Sequence, residues 1–419
     1  MFKLCVMMLV VFVLGGCAGP TPPGLYTEEA EEVIAFGPAR SMEYTLLIEC
    51  PNYILGKFEP PRGIYTGAYI LSNPRVNFDI GEFEARVGPH AIYRYNMMLG
   101  DPFPMQWVLS CIAHRSTPYI AIDIDNFFDI TLLENTAKEF AQFQIPMFVE
   151  FAKVRPTFNA YAYVAYFRQA REIFRRIAPH VAFVWAVELE DAFDAAAFYP
   201  GDDALDWVSI HMLQTLHSRP MRPGRQTSPY PYDVLNALRS FYLTFHRQKP
   251  IFVHVGVSHF STYDYVYRMA EATEELKRIY STIIGEFPRV KGIIYLDYNA
   301  VISSRNQSIR DDFSVSSEVA LAKVYRSIIE GENFLTRINT TSAGRQNTEL
   351  FKSPVSVLRV DDAFYFPEYA FGKVLQINEA RGTPTYLNGK YFLPLDILQS
   401  QGLGIISIDE PNNRIIFHR

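Results

Sequence analysis

The sequence predicts an α/β fold, a (β/α)8 TIM barrel followed by a small β-rich α+β domain. Apolar, aromatic-rich runs of strand length alternate with amphipathic stretches from Arg62 to Gly331. Eight such repeats over about 270 residues are the length and pattern of that barrel. Beyond a polar stretch at 332–352 the pattern changes to short β-rich runs. A doubly wound sheet is the other way to assemble the same elements.

The barrel strands are expected at Gly63–Ile70, Ala91–Leu99, Tyr119–Ile124, Pro146–Val154, Val181–Leu189, Trp207–Leu213, Pro250–Ser258 and Gly292–Tyr298. Most are continuous apolar runs, as buried parallel strands are. The clearest helices are Thr131–Gln144, Ala160–Ile177, Val234–Arg247, Tyr263–Ile284 and Ser316–Ile329, where apolar residues recur at three and four and charged residues fill the other face. Ahead of the barrel, Met42–Ile48 is strand-like and is expected to close the barrel bottom or to pair with an edge. Glu332–Lys352, rich in Asn, Thr, Ser and Gly, reads as a linker. In 353–419, Val355–Val360, Lys373–Asn378 and Arg414–Phe417 read as strands, and Asn388-Gly389 between apolar runs signals a hairpin.

The first residues carry an export signal. Lys3 precedes an apolar run, Leu4 to Leu14, and then Gly15-Gly16-Cys17, too short to stay as a spanning helix. Leu14-Gly15-Gly16-Cys17 resembles the bacterial lipoprotein box. That resemblance implies cleavage after residue 16, lipid on Cys17 and an exported protein anchored to the cell membrane or envelope; an ordinary signal peptide is the alternative. Gly19-Pro20-Thr21-Pro22-Pro23-Gly24 then reads as a tether, and 17–61 as tether plus N-terminal extension. With Cys17 acylated, Cys50 and Cys111 either form the one remaining disulfide or stay as buried thiols.

A formal net charge of −6 offers no basic face for nucleic acid. Phe 32 and Tyr 26 are high counts. Most of these rings are expected to fill the core, leaving a few for sugar faces.

Several segments resemble glycoside hydrolase family 26, a family of retaining mannanases and related β-glycanases. They are Gly63-Ile64-Tyr65-Thr66-Gly67-Ala68-Tyr69, Val184-Trp185-Ala186, and Tyr199-Pro200-Gly201-Asp202 with Leu205-Asp206-Trp207-Val208. The resemblance spans 62–331. It implies a catalytic glutamate at the end of the fourth and of the seventh barrel strand, where this chain has Val154 and Val255. Lys153-Val154-Arg155-Pro156 and His254-Val255-Gly256-Val257 replace the family's acid/base and nucleophile stretches. Retaining hydrolysis needs two carboxyl groups about 5–5.5 Å apart, and valine supplies neither. The resemblance thus implies a barrel without the family's reaction. The last 65 or so residues resemble the copper amine oxidase N-terminal-like module, an accessory unit on secreted bacterial proteins. That region has one histidine, His418, and no cysteine, so no copper is expected.

Fallback acids for a relocated reaction are Glu188, Asp297 and Glu150. Glu150 shares the strand side of Val154 and is expected to point into the barrel about 13 Å lower, most simply as a structural buried acid. Glu190, Asp191, Asp123 and Asp125 also end strands, as helix caps and loop anchors commonly do. Trp185 is a candidate sugar platform, with core packing as its alternative. His211 and His254 fall on neighbouring strands and are read as cleft residues without metal-ligand spacing. The long loop Leu216–Asp233 carries Arg219, Arg222, Arg225, Tyr230 and Tyr232; Arg222 and Tyr230 are candidates for binding an acidic or carboxylated sugar. The expected partner is a polysaccharide or oligosaccharide, with no cofactor and no metal. The competing expectations are an active β-glycan hydrolase with moved carboxylates and a structural envelope or spore-coat protein.

Overall fold

The computed structural model describes residues 41–50, 53–71, 74–76, 78–125, 129–155, 157–188, 195–216, 233–303, 310–347, 351–368, 385–387, 390–400 and 405–418. The signal and tether, Arg222, Tyr230 and the 373–378 strand expectation lie outside them.

The chain opens with β1 (Ser41–Cys50), which is not part of the barrel. The barrel is β2 (Ile64–Leu71), β3 (Ile92–Met98), β4 (Thr117–Asp123), β5 (Met147–Phe151), β6 (Val181–Glu188), β7 (Trp207–Gln214), β8 (Ile251–Val257) and, after the short β9 (Phe260–Ser261), β10 (Val290–Tyr298). All neighbours are parallel, and β10 closes the ring by pairing with β2. The eight expected strands are therefore those observed. β9 pairs antiparallel with β11 (Asp311–Asp312) beyond the mouth, and β12 (Phe334–Leu335) pairs with the start of β2 at the bottom.

The outer layer comprises α1 (Ile80–Val87), α2 (Met105–Ala113), α3 (Ile130–Ala141), α4 (Ala160–Ile177), α5 (Val234–Phe245), α6 (Met269–Glu286), the single turn α7 (Ala300–Ser303) and α8 (Val319–Ile329). Asp79, Asp129, Asn159 and Asp233 cap α1, α3, α4 and α5 by accepting backbone N–H bonds at the mouth side. α6 starts six residues later than its apolar pattern suggests, because Phe260–Arg268 is spent on the β9 ladder and its turn. Cys111 is a buried free thiol on α2.

Strand alternation separates two cores. Outward residues such as Val149, Phe183, Trp185, Val253 and Val255 pack with the helices. Inward residues Tyr65, Tyr119, Phe148, Val184, Trp207, Phe252 and Ile294 fill the barrel. Trp207 stacks on Phe252 with centroids 4.3 Å apart, and Phe148 meets Phe252 edge-on. Glycine makes room for these rings: a Cβ at Gly292 would stand 2.2 Å from Phe252 Cε1, and one at Gly67 2.7 Å from Ile294 Cγ1.

Segments 53–61 and 333–347 close the bottom. Phe58 enters the inner core, and Trp207 Nε1 donates to Lys57 O at 2.7 Å. Glu59, fully buried, accepts from Arg289 Nε at 2.8 Å and Nη2 at 3.2 Å, while Arg289 also donates to His246 O and lies 3.7 Å over the Tyr53 ring. Those extra bonds satisfy a charge pair that burial alone would penalise.

The second sheet is formed by β1 with β13 (Phe351–Val360), β14 (Ala363–Pro367), β15 (Thr385–Leu387), β16 (Lys390–Pro394), β17 (Ile405–Asp409) and β18 (Arg414–His418), with helix α9 (Asp396–Ser400) after β16. β15 and β16 pair with Leu387 opposite Lys390, the register expected around Asn388-Gly389. β1, the strand expected at Met42–Ile48 to close the barrel bottom or to pair with an edge, is not a barrel strand; it runs antiparallel to β13 and parallel to β18 in the middle of this second sheet. Its Tyr44 and Leu46 are buried with Val355, Val357, Ile415 and Phe417. Leu243 near the end of α5 joins this core, so the sheet packs at the bottom end of the barrel.

Burial holds the imidazoles of His90 and His246 down at about 4 and about 3, from 6.5. Between those values and 6.5 the unfolded chain binds more protons than the folded one, so stability falls as pH drops below 6.5. We expect the thermal midpoint to decline steadily from pH 7 to pH 5, before most carboxylates titrate; a flat or rising midpoint over that interval would contradict this assignment.

Candidate functional site

Counting two residues up each strand from the aromatic layer reaches a polar layer. Phe148 is followed by Glu150, Ile92 by Arg94, Phe252 by His254, and Trp207 by Ser209 and then His211. Register sets the neighbours: Arg94 lies opposite Tyr119, and His211 opposite both His254 and Glu188. The two imidazoles stack at 4.0 Å with an 11° interplanar angle.

Arg94 is the hub. Its Nη2 donates to Glu150 Oε1 at 2.9 Å, and its Nη1 lies 3.0 Å from His254 Nδ1 and 3.3 Å from His211 Nδ1. The guanidinium also sits over the Tyr69 and Tyr119 rings. Tyr119 donates to Glu150 Oε2 at 2.7 Å, which also lies 3.1 Å from His211 Nε2; His254 Nε2 lies 3.3 Å from the Tyr119 hydroxyl. One assignment satisfies the shorter contacts: both histidines neutral, with hydrogen on Nε2 and a lone pair on Nδ1 facing Arg94, the 3.5 Å approach of Arg94 Nη1 to His211 Nε2 being left unbonded. Burial pushes the Glu150 carboxyl up, but Arg94, aided by the histidines, holds it well below the usual range. Burial lowers both imidazoles, and Arg94 lowers them further.

Glu150, His211 and His254 offer ligand atoms within 4.8 Å of one another, the one such group among the described residues. Arg94 already directs positive charge at that donor set and engages both Nδ1 lone pairs. A metal ion would have to displace the guanidinium, so the arrangement fits the expectation of no metal better than a metal centre.

At the rim, Lys153 pairs with Glu188, and Arg155 Nη2 lies 3.1 Å from Asp123 Oδ1. Burial raises the Glu188 carboxyl, but the surrounding groups, the paired Lys153 among them, outweigh it and keep it below the ordinary range. Among the described residues, the rim thus carries these two cation–carboxylate pairs.

Five further residues stand outside that layer. Trp185, 0% exposed, packs edge-on against Tyr199 and Phe245 in the helix layer, because odd positions of β6 point outward. It offers no face to the cleft. Asp297 also points outward and accepts from Ser316 N at 3.0 Å and Ser316 Oγ at 2.7 Å, anchoring the segment before α8. Val255 lies in the strand–helix core. Val154 does too, which corrects its expected alignment with Glu150: β5 ends at Phe151, and Ala152 at φ 46 reverses the alternation. Lys153 and Arg155, not Val154, therefore reach the mouth. His259 is buried beneath the Tyr267 ring, with Nε2 3.7 Å from Asp312 Oδ2.

Arg94, Tyr69 and Tyr119 were missed by sequence reasoning. The available signal was a lone arginine in the otherwise uncharged run Ile92-Tyr93-Arg94-Tyr95, which needs a buried acid on another strand.

No protein-family model matches this sequence, and no curated protein matches it. Solved structures do. A GH113 β-1,4-mannanase shares 11% identity over 67% of this chain and 100% of that one, with a TM-score of 0.44. A GH26 β-mannanase from Bacteroides ovatus shares 9% over 69% and 94%, with a TM-score of 0.44. A GH2 β-galacturonidase from Eisenbergiella tayi shares 12% over 66% and 54%, with a TM-score of 0.45. The barrel itself rests on the closed strand pairing of this chain.

Replacing Glu150 with Gln removes the counter-charge of a buried arginine. The expected loss is about 3–5 kcal/mol in chemical denaturation, the range for breaking a buried pair; a loss below about 1 kcal/mol would mean that Arg94 does not depend on Glu150.

Proposed function

We propose that this chain is an exported, lipid-anchored envelope protein whose glycoside hydrolase-like barrel binds a poly- or oligosaccharide at its mouth without retaining hydrolysis. One observation carries the reading: among the described residues, the two glutamates in the upper barrel, Glu150 and Glu188, each pair with a cation, Arg94 and Lys153, and both carboxyls are held below the usual range. A retaining glycosidase needs one of its two carboxyl groups protonated at the start of the cycle. At the rim, the partly exposed Glu188 provides an acceptor for sugar hydroxyls, and Lys153 and Arg155 provide donors. Such groups above an aromatic layer are a hydrogen-bonding surface suited to a neutral or carboxylated sugar.

The N-terminal signal and the place of β1 support an anchored arrangement. The tether leads into β1, whose sheet packs at the barrel bottom against α5. Lipid on Cys17 would therefore leave the mouth directed away from the membrane. The C-terminal sheet would serve as the stalk that the copper amine oxidase-like resemblance implies.

Incubation with mannan, xylan and mixed-linkage glucan should release no reducing ends, while at least one glycan is retained by the protein. Lys153→Ala should weaken that retention about tenfold, the effect of losing one charged hydrogen bond. Release of reducing ends that stops in Glu188→Gln would replace this reading with an active hydrolase. In cells, Cys17→Ser should move the protein out of the membrane fraction; persistence there would reject the lipid anchor.

A further inference from the structure

The loop between β8 and α6 carries Ser261-Thr262-Tyr263-Asp264-Tyr265-Val266-Tyr267, with three tyrosines at alternate positions. They are 63%, 69% and 62% exposed, respectively, whereas among the described residues most other tyrosines are buried or half-buried, with Tyr161 the most exposed of the rest. Exposing three adjacent rings forgoes the burial that such rings normally provide.

The loop is nonetheless held firmly. β9 pairs with β11, Phe260 bridges Tyr267, and the Thr262 N–H donates to Arg310 O at 2.9 Å while the Arg310 N–H donates back to Thr262 Oγ1 at 2.9 Å. Asp264 accepts from the Val266 N–H and pairs with Arg268, and the Arg268 N–H donates to His259 O. Phe260 packs beneath, with its centroid 4.6 Å from that of Tyr267 and 6.2 Å from that of Tyr265. Tyr265 adopts φ 59, a left-handed conformation unfavourable for a bulky residue, which the surrounding bonds maintain. The loop leaves the C-terminal end of β8, four residues beyond His254 along the chain, so it borders the mouth.

We propose that Tyr263, Tyr265 and Tyr267 form a preorganised stacking platform for sugar units of a glycan that extends outward from the barrel mouth. A pyranose has an apolar C–H face and a hydroxyl rim. A tyrosine offers the matching π-face and a phenol that exchanges hydrogen bonds, and a rigid platform loses little entropy on binding. The only charges on the loop, Asp264 and Arg268, neutralise each other, which suits an uncharged chain better than an anionic membrane surface. The platform rests on the carbohydrate-binding reading of the mouth and adds chain-length selectivity to it.

The test compares wild-type protein, Tyr265→Ala, Tyr267→Ala, the phenylalanine counterparts and Lys153→Ala, all as full chains, by calorimetry with manno-, xylo- and cello-hexaose and the corresponding disaccharides. The alanine variants should bind the hexaose about tenfold more weakly and leave disaccharide affinity within twofold, while phenylalanine restores most of the loss. Lys153→Ala should weaken both lengths. Hexaose affinity unchanged in both alanine variants, with Lys153→Ala still defective, overturns the platform and leaves the mouth reading intact. Loss in the tyrosine variants with Lys153→Ala unaffected supports the platform and removes the mouth as the primary site. Wild-type protein that binds none of these sugars overturns both.

Discussion

The buried pair of Arg94 and Glu150 governs the upper half of the barrel. A single charge placed there would be prohibitive, and two are tolerable only when their remaining hydrogen-bonding capacity is used. Tyr119, His211 and His254 take up most of it on strands β4, β7 and β8, with Arg94 Nε left without a hydrogen-bond partner. The same demand keeps the histidines neutral, since a second cation beside Arg94 would raise the energy of the layer. Strand register, aromatic floor and protonation state are thus mutually dependent.

That constraint bears on Glu150 and Glu188, each of which is paired with a cation. Glu150 cannot take a proton without leaving Arg94 uncompensated. Glu188 faces Lys153, which reaches the mouth because the left-handed Ala152 reverses the side-chain alternation after β5. The turn that sends Val154 into the core is therefore the turn that neutralises Glu188.

The second sheet imposes a different dependence. β1 comes from the start of the described chain and β13 to β18 from its end, yet β1 lies between β13 and β18. This sheet can form only after the whole barrel sequence is available, a long-range closure that slows assembly. It also brings the tether-proximal strand and the terminal strands to one end of the barrel.

The barrel was legible in the sequence because buried parallel strands must be apolar and their helices amphipathic, and both patterns survive in a one-dimensional reading. Glu150, His211 and His254 were legible as inward-facing groups for the same reason. By itself the sequence determined the eight strands, the change of pattern after Gly331 and the absence of glutamate at positions 154 and 255. Tertiary structure alone decided that Arg94 joins Glu150, that Trp185 and Asp297 face away from the mouth, that Val154 leaves its expected side, and that β1 completes the distant sheet. Periodicity reports which face of its own strand a residue occupies; partnership between strands, and any turn that breaks the count, depend on closure of the whole chain.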